Sequence, residues 1–211
     1  MRVDRKQALL ASGVELFSLH GYREVSIGEI AYSAGVGTGS FYTYFAGKEE
    51  FYEEILDGIE EQGRKEVDRL VASFQSPLNR LKALYRFAVL GIRNSPLLLG
   101  VLTEAKKYAF PGQAARRVRG DTLRRHIEER IGEVLAAGGR ALELRVGLFR
   151  NPRRLCLALF DATLLKLETE NVEELMDDTL RLLERGLARR LRLRAGRERR
   201  EQRRHGPQRR K

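Results

Sequence analysis

The placement of glycine and proline restricts this chain more than any other feature. Gly21, the run Gly35-Val36-Gly37-Thr38-Gly39 and Gly47 cut the first fifty residues into three short segments. Beyond them the breakers thin out to Ser76-Pro77, Asn94-Ser95-Pro96, Pro111-Gly112, Gly138-Gly139 and Asn151-Pro152. Between breakers, apolar residues recur at helical intervals, and no apolar–polar alternation is long enough to build a sheet. The expectation is an all-α chain, with three short helices at 4–20, 27–34 and 38–45 forming a small head. A segment at 48–74 and further long helices form a larger helical body. Pro77 and Pro152 suit first helical positions, where a missing N–H is no loss. Gly138-Gly139 is expected to end a helix. Asn151 should cap one running to 168, and Asn171, with Glu174 three residues on, should start the last, running to 193.

Within the head, residues 27–34 have a full set of start signals. Ser26 is placed to cap, Glu29 to complete a capping box, and Val25 to pack on Ile30 as a hydrophobic staple. Ile27, Ile30 and Ala31 make the inner face, and Ala34-Gly35-Val36-Gly37 a tight turn. In the next helix Phe41 and Phe45, four apart, face inward. Thr38, Ser40, Tyr42, Thr43 and Tyr44 are left facing out. A helix so short and polar is a poor stability element, but its five hydroxyls suit phosphate oxygens and base edges. Two helices joined by a short glycine-containing turn form a helix-turn-helix, whose second helix enters the DNA major groove. Gly39 would permit close backbone approach, and Lys48 is placed to add a charged phosphate contact. A nucleotide-binding glycine loop would have to follow a strand, whereas Gly35–Gly39 follows an amphipathic helix. Gly47-Lys48 is followed by Glu49, not the Ser or Thr of a P-loop.

The charge of +11 supports this less than it first suggests. Residues 189–211 hold twelve Lys/Arg and two Glu, so the remainder is nearly neutral. Bulk charge therefore gives no argument for specific DNA recognition by the head. With 42% hydrophobic residues the chain can build a core, and no apolar run reaches the roughly 18 residues of a membrane span. Cys156, the sole cysteine, lies in an apolar run and reads as core, and three scattered histidines argue against a metal site. No nucleophile–base set stands out, so no catalytic residue, cofactor or metal is expected, and the chain is not read as an enzyme. The N-terminus is charged and helix-patterned, without a signal peptide, so the expected location is cytoplasmic.

The head resembles the DNA-binding domain of the TetR/AcrR family of bacterial regulators. The residues that carry the resemblance are Leu16-Phe17, Gly21-Tyr22, Ser26, Ile30-Ala31, Ala34-Gly35-Val36, Gly39, Phe41-Tyr42, Tyr44-Phe45 and Lys48-Glu49. Gly37 departs, standing where serine is frequent. The resemblance implies a homodimeric repressor that binds a palindromic operator in double-stranded DNA and is released by a small-molecule effector. It assigns Ser26, Tyr42, Tyr44 and Lys48 mainly to the phosphate backbone, and Thr38, Gly39 and Ser40 to the groove-facing start of the recognition helix. Thr43 completes the DNA-binding set.

The implied organisation is a DNA-binding domain at 3–50, an effector-binding and dimerisation domain at 51–194, and a basic tail at 195–211. The last two helices would pair with their copies across the dimer. Tyr85, Phe87, Tyr108 and Phe110 are candidates for a pocket wall or for plain core, and the ligand-binding residues and effector stay unknown. Arg116, Arg117 and Arg119 could meet an anionic ligand or form a solvated face, as Glu49, Glu50, Glu53, Glu54, Glu60 and Glu61 are expected to do. Two other readings remain: a helical ligand-binding or interaction protein with a vestigial head, and an architectural DNA binder acting through the tail.

Overall fold

The computed structural model describes residues 4–102, 110–111, 122–141, 143–164, 166 and 171–188. Among these the chain is all-α. The head comprises α1 (Arg5–Glu24), α2 (Ile27–Ser33) and α3 (Thr38–Tyr42). Among the described residues the body comprises α4 (Lys48–Ser73), α5 (Pro77–Arg93), α6 (Pro96–Leu102), α7 (Thr122–Arg140), α8 (Pro152–Leu164) and α9 (Val172–Leu187), with a 3₁₀ turn at Val146–Leu148. Tyr108, Arg116, Arg117, Arg119 and the tail at 195–211 lie outside the described residues.

The expected starts hold. Asp4 caps α1 through the amides of Lys6 and Gln7, Ser26 and Glu29 form the full capping box of α2, and Pro77 opens α5. Asn151 Oδ1 accepts the Arg154 amide 3.0 Å away. Gly21 breaks α1 with φ 80°, a left-handed conformation that glycine adopts without Cβ strain.

Four expectations change. α3 ends at Tyr42, and the chain to Phe45 continues as a turn in which the Phe45 amide still reaches the Phe41 carbonyl at 3.0 Å. α7 runs straight through Gly138 and Gly139 to Arg140. Those glycines are sockets, since a Cβ on Gly138 would lie 2.6 Å from Leu144 Cδ1 and one on Gly139 would meet Val146. α8 stops at Leu164, short of 168. α9 stops at Leu187 instead of 193, because Ala188 turns extended and bridges to Leu144.

Two apolar cores form. The body core gathers Val67, Leu84, Val89, Ile131, Phe160 and Leu180 with their neighbours from α4, α5, α7, α8 and α9. The head core holds Leu9, Phe17, Ile30, Phe41, Phe45 and Phe51, and it also takes in Leu97 of α6 and Phe110. No helix among the described residues is long and apolar enough to cross a membrane.

Candidate nucleic-acid interface

The short α3 is held from beneath by aromatic packing. Phe41 and Phe45 are fully buried, with ring centroids 5.1 and 4.8 Å from Phe51 at the start of α4. α1 lies close on the same helix, because Gly13 leaves room for Phe51 and Ile55 where any Cβ would collide. With that face pinned, the opposite face of α3 is presented outward. Tyr42 is 58% exposed and Tyr44 39%; Thr38, Gly39 and Thr43 are also exposed, and Ser40 is half-buried. Gly37 supplies no side-chain cap, so no side-chain oxygen covers the first amides of α3, although the Ser40 amide donates to the Gly37 carbonyl at 2.8 Å. Thr43 Oγ1 donates back to the Gly39 carbonyl at 3.3 Å. The result is a rigid ledge of hydroxyls and uncapped amides, without a charge of its own.

Two of the predicted residues are already engaged. Ser26 Oγ accepts the Glu29 amide at 3.2 Å and donates to Glu29 Oε2 at 2.7 Å, and the Ser26 amide donates to the same oxygen at 2.7 Å. These bonds hold the Glu29 carboxyl below its ordinary range. The Ser26 hydroxyl proton is therefore committed to the cap.

Lys48 sits at the first position of α4, but its ammonium turns back under the head. It donates to the carbonyls of Tyr22 and Val25 at 2.9 Å each, and to that of Arg23 at 3.5 Å. It also stands 4.5 Å from the centre of the Tyr22 ring. Partial burial pushes its pKa down, against the opposing pull of Glu24 and Glu29. Lys48 thus closes off the carbonyls that the Gly21 break leaves at the end of α1.

The sequence assigns no individual role to two tyrosines of this region. Tyr22 carries Lys48 on one side and packs on Tyr52 and Phe110 at 5.0 and 5.9 Å. Tyr32, on the outer face of α2, is 89% exposed; its position opposite Ile30 and Ala31 in a helical projection could have marked it. Some of the acidic residues expected to form a solvated face have partners. Glu50 accepts the Ala46 amide at 2.6 Å, and Glu54 pairs with Lys6 at 2.7 Å.

Residues 9–55 match the family model described as bacterial regulatory proteins, tetR family. The likeness to that family is one of the head, 47 of the 211 residues. The chain is similar to the HTH-type transcriptional repressor KstR2 of Mycobacterium tuberculosis, 35% identical over 81 residues, which are 38% of this chain and 40% of that protein. It is also similar to YhgD of Bacillus subtilis, an uncharacterized HTH-type transcriptional regulator, 32% identical over 68 residues, or 32% of this chain and 36% of that one. These matches span at most two fifths of the relatives' length. Solved structures extend the likeness, as one of fold, through the body. E. coli NemR in its reduced form aligns with a TM-score of 0.70 and 21% identity over 88% of this chain and 97% of its own. FadR of Bacillus subtilis, in complex with stearoyl-CoA, aligns with a TM-score of 0.61 and 18% identity over 84% of this chain and 96% of its own.

Proposed function

We propose that this chain is a sequence-specific DNA-binding transcriptional regulator, a repressor that binds a palindromic operator as a homodimer and is released by a small effector. The observation that carries this reading is the outer face of α3. Thr38 and Tyr42 are exposed on a five-residue helix whose inner face is locked by Phe41, and Thr43 and Tyr44 are exposed on the turn that follows it. Exposed aromatic hydroxyls on a rigid base fit phosphate contacts that set register, and the small residues Thr38, Gly39 and Ser40 at the helix start fit close approach to base edges. Residues 3–50 then act as the DNA-binding unit, and 51–194 as the dimerising and effector-binding unit.

Two features of the body support the finer parts. On α8 and α9 Leu155, Ala158, Ala162, Leu175 and Leu182 are exposed, an apolar face that pairing of these helices with a second copy would cover. Between α5, α7, α8 and α9 a small apolar void of about 10 Å³ is lined by Leu81, Tyr85, Ile127, Cys156, Phe160 and Leu183 among others. Its polar group, the Tyr85 hydroxyl, is already bonded to Thr163 Oγ1. Burial pushes the Cys156 thiol up to about 11, so it serves as a wall residue and not as a nucleophile. An effector would have to part these helices to enter, and the lining it would then meet is apolar. Phe110, in contrast, sits in the head core.

The test is binding to selected genomic fragments against random duplex. The expected result is a preference of at least ~1000-fold for selected sites, in line with specific protein–DNA complexes. Tyr42→Phe should weaken selected-site binding about 5- to 10-fold irrespective of base substitutions in the site, the mark of a phosphate contact. Equal affinity for all duplexes would overturn the reading.

A further inference from the structure

The five residues of α3 hold no charge, and the cation that could supplement them from the start of α4 is shut in. An ammonium has three N–H donors. Those of Lys48 meet the carbonyls of Tyr22 and Val25 at 2.9 Å each and that of Arg23 at 3.5 Å, which leaves none for a phosphate. The Tyr22 ring covers another side, with its centre 4.5 Å from the ammonium. Lys48 is therefore bonded inward and half-buried.

The cage around it is built from two parts of the chain. Tyr22, 8% exposed, packs against Phe17 at 6.0 Å, Tyr52 at 5.0 Å and Phe110 at 5.9 Å. Phe17 and Tyr52 belong to α1 and α4, the two helices that the lysine joins. Phe110 belongs to neither. It follows α6, whose Leu97 is buried in the same core, and it is 6% exposed with its ring 5.1 Å from Tyr52. Phe110 is thus the part of the Tyr22 cage that the body supplies. The bonded carbonyls lie just beyond Gly21, where φ 80° detaches residues 22–25 from the rod of α1.

A half-buried ammonium is kept from water only while its carbonyls and its ring together offset the lost hydration. Removing the ring tips that balance toward water and, beside a duplex, toward a charge-assisted bond to phosphate. The wall that holds the ring in place is therefore a point of control. We propose that Phe110 latches Lys48: seated against Tyr22 it keeps the ammonium inside the head, and withdrawn it lets Tyr22 turn into the vacated space and frees the ammonium for a DNA phosphate. The body then regulates the charge of the recognition face without displacing α3, whose Phe41 and Phe45 rest on Phe51. A well-fitted operator can draw the ammonium out against the latch, whereas a random duplex, bound more weakly, cannot. The latch rests on the reading of the head as a DNA-binding unit, with Tyr22 and Phe110 as positioning residues.

The experiment compares the full chain with Phe110→Ala, Phe110→Leu, Lys48→Gln and the combination of Phe110→Ala with Lys48→Gln. Binding to a random duplex of about 30 base pairs is followed over roughly 50–200 mM salt. Phe110→Ala should steepen the slope of log affinity against log salt by about 0.9, one phosphate contact. Across that range its affinity then gains about 3.5-fold more on dilution than that of the unmodified chain. The combined variant should lose this gain. A second readout needs no DNA: brief acetylation with acetic anhydride, followed by mass spectrometry, should label Lys48 faster in Phe110→Ala than in the unmodified chain. Lys6, paired with Glu54 elsewhere in the head, should be labelled at an unchanged rate. Phe110→Leu keeps the core filled but takes the ring from Tyr22, so it should show both changes to a smaller extent and decides the matter where the alanine chain does not fold. An unchanged or shallower slope in a folded Phe110 variant overturns the latch. So does faster labelling of Lys6 together with Lys48, the mark of a head that has merely loosened. Absence of sequence preference in the unmodified chain sinks the regulator reading instead, and leaves the labelling result to judge the latch.

Discussion

Lys48 shows how one side chain can tie the end of α1 to the start of α4. In the free protein its three N–H groups face the carbonyls of Tyr22, Arg23 and Val25, and its charge lies over the Tyr22 ring. Replacing it with glutamine strips those carbonyls of their donors. The expected loss is about 1–3 kcal/mol, the range for leaving partly buried polar groups unsatisfied, read as a lower midpoint in urea denaturation. Selected-site affinity should fall in the same variant if the proposed phosphate contact exists. A stability loss with unaltered DNA affinity would make Lys48 purely a clasp between α1 and α4. The type and position of this lysine were legible in the sequence. Its partners were not, because they are backbone carbonyls of a helix end more than twenty residues away.

At the scale of elements, local signals were read well and long-range ones were not. The α2 capping box, the Gly21 break and the prolines at the starts of α5 and α8 depend on neighbours within four residues, and each stands where the pattern puts it. Gly138 and Gly139 have the composition of a helix stop, yet α7 continues through them. Their purpose is set by Leu144 and Val146 closing from the side, and no local pattern encodes that. Likewise α9 ends early because Ala188 pairs with Leu144. The outward set Thr38, Ser40, Tyr42, Thr43 and Tyr44 was recoverable because burial of Phe41 and Phe45 fixes where the rest must point. Only the half-buried Ser40 departs from it.

The α2 cap also makes a pH prediction. The folded Glu29 carboxyl is held below its ordinary value of 4.5 by Ser26. Its contribution to stability is therefore full above that value and is lost as pH falls through the depressed one. Unfolding titrations from pH 6 to pH 2 should show a shallower acid loss for Glu29→Gln than for the unmodified chain, while equal slopes would deny the cap this influence.

For the molecule as a whole, the exposed leucines of α8 and α9 decide whether it works singly or in pairs. Leu182 is 58% exposed and Leu155 40%. A carboxylate at Leu182 would have to be buried unpaired in the proposed dimer, whereas in a monomer it would stay in water. Leu182→Glu should therefore shift sedimentation from dimer to monomer at micromolar concentration and reduce operator affinity about 100-fold or more, with helicity retained. A chain that sediments as a monomer before the change would remove the dimer from the proposal.

Leu97 and Phe110 are contributed by the body yet are buried in the head core, Phe110 against Tyr22 and Tyr52. Anyone who builds chimeric regulators, grafting this recognition unit onto a foreign sensor, would cut near residue 50 and leave both behind. The graft would then display an open aromatic notch where Phe110 belongs. The transferable unit is discontinuous in sequence, and a working chimera has to bring the two plugs with the head or re-create them in the recipient.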